Sequence, residues 1–174
     1  MPACRVARYF EDVAWTKHIL VVANVTAASD ELVDALKRKA ADQPARFTLI
    51  VPATPFGGGR EAAHEMLTSA CQRLREEELK AEGSVGDADP IIAVTEAWDP
   101  KRHDEIVVST LPIRFSKWLH AGLPERIGKL TGAPVTHVIS QPQRQEIEVE
   151  PAPAHERAAL GPLAVLAWGS NPRR

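Results

Sequence analysis

The run Ile19-Leu20-Val21-Val22-Ala23 is apolar at every position, rich in β-branched residues and too short to be a helix of ordinary length. A strand with no polar position has both faces covered, and strands of that kind belong to parallel sheets sandwiched between helices. Phe47-Thr48-Leu49-Ile50-Val51 and Glu105-Ile106-Val107-Val108 repeat the pattern, and Val135-Thr136-His137-Val138-Ile139 carries it in weaker form. A fifth, weak strand is expected near residues 81–85. One such run constrains a fold loosely; four, separated by helical patterns, leave few alternatives to an α/β domain.

Helical patterns fill the intervals. Ser29 is placed to cap a helix whose first turn holds Asp30 and Glu31, with Leu32, Leu36 and Ala40 on one face and Pro44 as its stop. Ala63, Met66, Leu67, Ala70, Cys71 and Leu74 fall on one face of a longer helix, and the charged tail at residues 73–80 reads as a solvated face. Asp89 followed by Pro90 marks the start of a short helix bearing Ile91, Val94 and Trp98. A last helix is expected to start at residues 122–124 and to end at Gly132. The βαβ alternation predicts a single doubly wound domain over residues 18–140, preceded by an arm (1–17) and followed by a second arm (141–174) that contains five prolines. In such sheets ligands bind beyond the carboxyl ends of the strands. The segments to watch are therefore 24–29, 52–59 and 109–123.

Composition narrows the function. Lys plus Arg is 21 and Asp plus Glu is 23, a net charge of -2, so no overall positive field draws nucleic acid or an anionic membrane. The N-terminal MPACRVARYFEDVAW lacks a continuous apolar core, so no signal peptide is expected, and no stretch has the length of a membrane span. A cytoplasmic location follows by default. Cys4 and Cys71 are expected to be separate thiols rather than a redox pair. The six histidines show no metal-ligand spacing; His64 reads as a surface or half-buried residue and His120 as one that faces solvent, with an anion contact as its alternative. Gly57-Gly58-Gly59 has no lysine and hydroxyl pair after it, which makes it a connector rather than a phosphate loop. No base is positioned to activate Ser109, Thr110 or Ser116, so no catalytic residue and no metal ligand is assigned.

The order of these pieces resembles the universal stress proteins. The run DEIVVSTLPIRFSKWLHAGLPERIGKLTGAPVTHVI matches that family's acidic residue, strand, loop, helix and Pro-Val strand; ILVVANVT resembles its first strand and turn, and VGDADPIIAV its Gly-Asp-Pro turn. The resemblance spans residues 18–140. It implies a three-layer adenine nucleotide alpha hydrolase-like fold with strand order 3-2-1-4-5, and a homodimer formed through the last strand, extended by the C-terminal arm. It also implies an adenine nucleotide, ATP or AMP with magnesium, as the ligand where the loop G-x2-G-x9-G-[ST] is intact.

Here the four motif positions fall on Ser109, Pro112, Gly122 and Leu123, and only Gly122 keeps the motif residue. Pro112 has no N–H to give a phosphate, Leu123 replaces a hydroxyl with an isobutyl group, and Asn24 stands where the family often has an acidic residue. Arg114 and Lys117 are placed to supply compensating charge. The expected protein is a regulatory ligand-binding module whose cleft is formed by Asn24, Thr26, Thr54, Ser109, Thr110, Pro112, Arg114, Gly122 and Leu123, with ATP not held in the usual way. Two alternatives stand beside it: an adenine-nucleotide-binding stress protein with weak ATPase activity, and a ligand-free interaction domain whose cleft is plugged by Leu123 and Phe115.

Overall fold

The computed structural model describes residues 16–55 and 58–141; apart from residues 16, 17 and 141, both expected arms, with Cys4, lie outside the described residues, as does Gly57. Five strands, β1 (Lys17–Val22), β2 (Ala45–Pro52), β3 (Ala81–Gly86), β4 (Glu105–Thr110) and β5 (Val135–Ile139), form one sheet. Its order is β3-β2-β1-β4-β5, and every pairing is parallel, with Val21 opposite Leu49 on one side and Val107 on the other. The helices are α1 (Asp30–Asp42), α2 (Gly59–Glu76), α3 (Pro90–Ala97), α4 (Lys117–His120) and α5 (Leu123–Thr131).

The alternation of side chains along β1 divides the core in two. Ile19 and Val21 face α1 and α2, packing with Leu32, Leu36, Leu67 and Leu74. Leu20 and Val22 face the other layer, with Ala93 and Val94 of α3 and Leu123 and Ile127 of α5. This is the physical content of the unbroken hydrophobic run: each residue of the strand has a helix over it.

The caps are the ones the sequence signals. Ser29 Oγ accepts from the Leu32 N–H at 3.3 Å and Asp89 Oδ1 from the Ile91 N–H at 2.7 Å, with Pro90 opening α3. Gly122 and Gly132 bracket α5 with φ of 62° and 67°, left-handed values that cost a side-chain-bearing residue about 1 kcal/mol or more. Gly83 meets a different demand. A Cβ there would lie 2.5 Å from the Leu49 carbonyl oxygen, so β3 approaches β2 and α2 closely at a point where only glycine fits.

Trp98 is the residue that ends α3; it packs on the same core layer as Ile91 and Val94, as expected, and stacks on His103. Two local readings change. Within residues 109–123, expected as an open loop, Ser116 caps the single turn α4, its Oγ accepting from the Leu119 N–H at 3.2 Å. Finally, the charged tail of α2 is not wholly solvated. Arg73 reaches the Ala28 carbonyl and the Asp30 carboxylate, tying α2 to the start of α1, and Leu74 and Leu79 are buried.

At the amino-terminal end of the sheet, β4 begins with a buried acid. Glu105 is 4% exposed, lies 2.6 Å from Lys17 Nζ, and also pairs with Lys39 of α1 and accepts from the Thr136 hydroxyl of β5. One carboxylate thereby joins β1, β4, β5 and α1.

Candidate functional site

At the opposite end, where the strands finish, a cavity of about 580 Å³ opens to solvent. It sits over the carboxyl ends of β1, β2 and β4, the region that strand-order reversal between β1 and its neighbours creates. Asn24 and Thr26 come from the turn after β1, Thr54 and Pro55 from the end of β2, and Ser109 and Thr110 from the last two positions of β4. Asp89 and Pro90 at the start of α3 and Phe115, Ser116, Lys117 and Trp118 around α4 complete it.

The polar groups in this wall divide into two sets. One set is saturated. Ser109 is fully buried, and its hydroxyl lies 3.0 Å from that of Ser140, which accepts from Ser29 at 2.8 Å, so three buried serines join β4, the end of β5 and the cap of α1. Thr110 pairs with His137 Nε2 at 2.8 Å; burial pushes the His137 imidazole below its ordinary value, against the pull of Glu125, so it is neutral at pH 7. The other set has bonding capacity to spare. Asn24 donates its amide to Thr54 Oγ1 at 2.8 Å, but its Oδ1 is buried with no partner, and so is the hydroxyl of Thr26, a residue only 2% exposed. Among the described residues these are the two buried side-chain polar atoms left unsatisfied, and both belong to residues that line this cavity. A buried polar atom without a partner costs about 1–3 kcal/mol.

The segment at the motif positions has a different local economy. Pro112 turns the chain, its carbonyl accepting from the Phe115 and Ser116 N–H groups. The amides of Leu119, His120, Ala121 and Gly122 are likewise bonded within the segment, to Ser116 Oγ, Ser116 O, Lys117 O and Leu119 O. Their backbone donors point into α4 and its turns.

Of the nine residues singled out by sequence, the cavity brings together Asn24, Thr26, Thr54, Ser109 and Thr110. Pro112, Arg114, Gly122 and Leu123 are not among its lining residues. Leu123 is 1% exposed and packs in the core against the sheet, and Phe115 stands at the rim, 61% exposed. The plugged cleft expected of a ligand-free domain is therefore absent: neither Leu123 nor Phe115 fills the space. His120 is exposed and lies outside the cavity lining, and His64 is exposed on α2. Asp89 and Pro90 were read only as helix signals, and Trp118 was not singled out within its segment. They reach the cavity because α3 and α4 start beside the same strand ends, a convergence that no local pattern encodes.

No protein-family model matches the chain, and no curated protein does. Solved structures do match. The structure of the universal stress protein from Archaeoglobus fulgidus in complex with dAMP is 15% identical, with a TM-score of 0.52 over 71% of this chain and 98% of that one. A second structure of universal stress protein from Archaeoglobus fulgidus is 18% identical, with a TM-score of 0.52 over 75% of this chain and 98% of that one. At such identities the likeness is one of architecture, and with the sheet order found here it closes the question of fold: this chain has the fold of the universal stress proteins.

Proposed function

We propose that the chain is a regulatory ligand-binding module of the universal-stress-protein kind that holds a nucleoside-like molecule at the strand ends and does not grip a triphosphate. The observation that carries the reading is the pair of buried, unpartnered atoms, Asn24 Oδ1 and Thr26 Oγ1, in two residues that line an open cavity. A ligand that donates to one and bonds the other relieves that penalty on binding. Pro55, Phe115 and Trp118 offer apolar surface to a planar ring, and Asp89 places a carboxylate for hydroxyls or amines in a lining whose one ammonium is that of Lys117. The amides of residues 119–122 are already bonded within their own segment and are not offered to phosphate oxygens. The solved relative bound to dAMP supports the nucleoside end of this reading. Magnesium has Asp89 as its one carboxylate partner in the lining, so the residues present fit a nucleoside better than a magnesium nucleotide.

Calorimetric titration with adenosine, AMP and ATP, with and without magnesium, tests this directly. Adenosine is expected to bind at least as tightly as ATP; ATP binding tenfold tighter than adenosine would instead support the adenine-nucleotide reading. Thr26→Val supplies a sharper signature. Removing an orphaned hydroxyl should leave stability unchanged or raise it by up to about 1 kcal/mol while weakening adenosine about fivefold. A variant that is destabilised and binds normally would sink the assignment of Thr26.

The same proposal includes a homodimer through β5 in the cytoplasm. β5 is an edge strand paired only with β4, and Ile139 on it is 51% exposed; an open apolar edge is a ready template for another strand. Sedimentation at micromolar concentration should show a dimer that Ile139→Lys converts to monomer. A parent chain that is already monomeric would remove β5 as an interface.

A further inference from the structure

The amino-terminal end of the sheet carries a second concavity, of about 740 Å³, on the far side of the molecule from the cavity above. Strands of six residues separate the two ends by roughly 20 Å. Arg46 of β2, Arg75 of α2, Lys80 before β3, and Lys101 and Arg102 before β4 all line it. None of these five is in an ion pair among the described residues. The lining also includes two carboxylates, Glu78 and Glu82. In addition α2 and α3 end on this side of the sheet, and a helix carboxyl end carries about half a negative charge. Together these offset about three of the five positive charges, which leaves a surplus of about two in one concave site. His103, stacked on Trp98 at the back of the site, takes its Nδ1 bond from the Asp99 N–H and is held below its ordinary value, first by burial and then by Arg102. It adds no charge at neutral pH.

A local excess of this kind stands out in a chain whose net charge is -2. Cations placed only for solubility or to complement helix ends are expected to be scattered among acids. These five come from four separate segments and converge on a hollow of the size that takes small ligands. We infer that this hollow is a binding site for a compact phosphorylated small molecule of charge about -2, with Arg46 and Arg102 as its principal contacts. Guanidinium groups suit phosphate oxygens because their planar forks bond two at a time. The site is independent of the nucleoside reading, since no residue lines both cavities.

Inorganic pyrophosphate is the probe, titrated calorimetrically into the full chain at low ionic strength. It should bind with one-to-one stoichiometry, and the Arg46→Ala/Arg102→Ala double variant should lose about tenfold or more in affinity. Both arginines are exposed, so the variant should melt with the parent and retain whatever adenosine binding the parent shows. Binding that is absent, or indifferent to the double substitution, would overturn the inference. Hexaglutamate binding more tightly than pyrophosphate would also overturn it, in favour of an acidic protein partner. Failure of adenosine to bind the parent bears on the other cavity alone.

Discussion

Replacing Glu105 with glutamine is expected to destabilise the domain by about 3 kcal/mol at pH 7, with the loss vanishing in acid. The carboxylate is almost fully buried and holds Lys17, Lys39 and Thr136. Glutamine keeps the shape and the hydroxyl bond but leaves two ammonium groups facing each other across a neutral amide. Removing one partner of a buried ion pair generally costs about 3–5 kcal/mol. Lys17 and Lys39 remain 29% and 22% exposed and can lean toward water, which puts the loss at the lower end. The pH dependence follows from the same contacts. Burial alone would raise the Glu105 pKa, but the bonds from Lys17, Lys39 and Thr136 outweigh it and bring the value from 4.5 to about 2. A depressed folded-state pKa contributes stability that is complete above the ordinary value and is lost as pH falls toward the folded one. The parent and Glu105→Gln should therefore differ most above about pH 4.5 and converge near about pH 2. Urea unfolding of both chains across that interval is the measurement. Other carboxylates titrate there too, but they do so in both proteins, so the difference isolates Glu105. A gap that stays constant down to pH 2 would show that packing, not charge, is what glutamine disturbs.

That acid marks where the sequence stops being legible. β1, β2 and β4 could be read because their central positions are covered on both faces, and the caps at Ser29, Asp89 and Gly132 could be read because one residue sets each of them. β3 gave a weak signal for a physical reason: it lies at the sheet edge, and its AEGSVG includes a glycine demanded by close approach rather than a hydrophobic residue. α4 is a single turn, shorter than any period. For the candidate site, the three segments named by the strand-end rule all contribute to the cavity, together with residues 88–90, and five of the nine named residues meet there. Of the other four, Pro112, Gly122 and Leu123 were placed by aligning a motif without a gap and Arg114 as a compensating charge, and motif spacing is silent about which way a helix presents its first turn. The basic hollow was invisible for a related reason. Arg46, Arg75, Lys80, Lys101 and Arg102 follow or begin different elements, and only the parallel topology gathers those element ends on one side. Glu105 likewise looked like an ordinary strand start, since its lysines come from residues far away in sequence.

The orientation of Leu123 yields the second large effect. Leu123→Ser, which restores a hydroxyl at the motif's last position, should destabilise the domain by about 4 kcal/mol and leave ATP affinity unchanged. Leu123 opens α5 with its side chain 1% exposed, packed with Val22, Ile106 and Ile127 in the layer that covers β1 and β4. Truncating a buried leucine to alanine size typically costs about 2–5 kcal/mol, and a hydroxyl left in that apolar layer adds a further penalty of about 1 kcal/mol or more. For a domain whose whole stability is about 5–15 kcal/mol this is a severe loss. Leu123→Val removes less and should cost about 1 kcal/mol, so a series of two keeps the measurement within reach if the serine variant unfolds. If the motif alignment instead described a phosphate-facing residue, the serine would be nearly neutral for stability and ATP would bind about tenfold tighter. The two outcomes are opposite in sign on both readouts. Chemical unfolding and nucleotide titration of the same two variants therefore decide whether this helix start turns its first side chain toward a ligand or into the core.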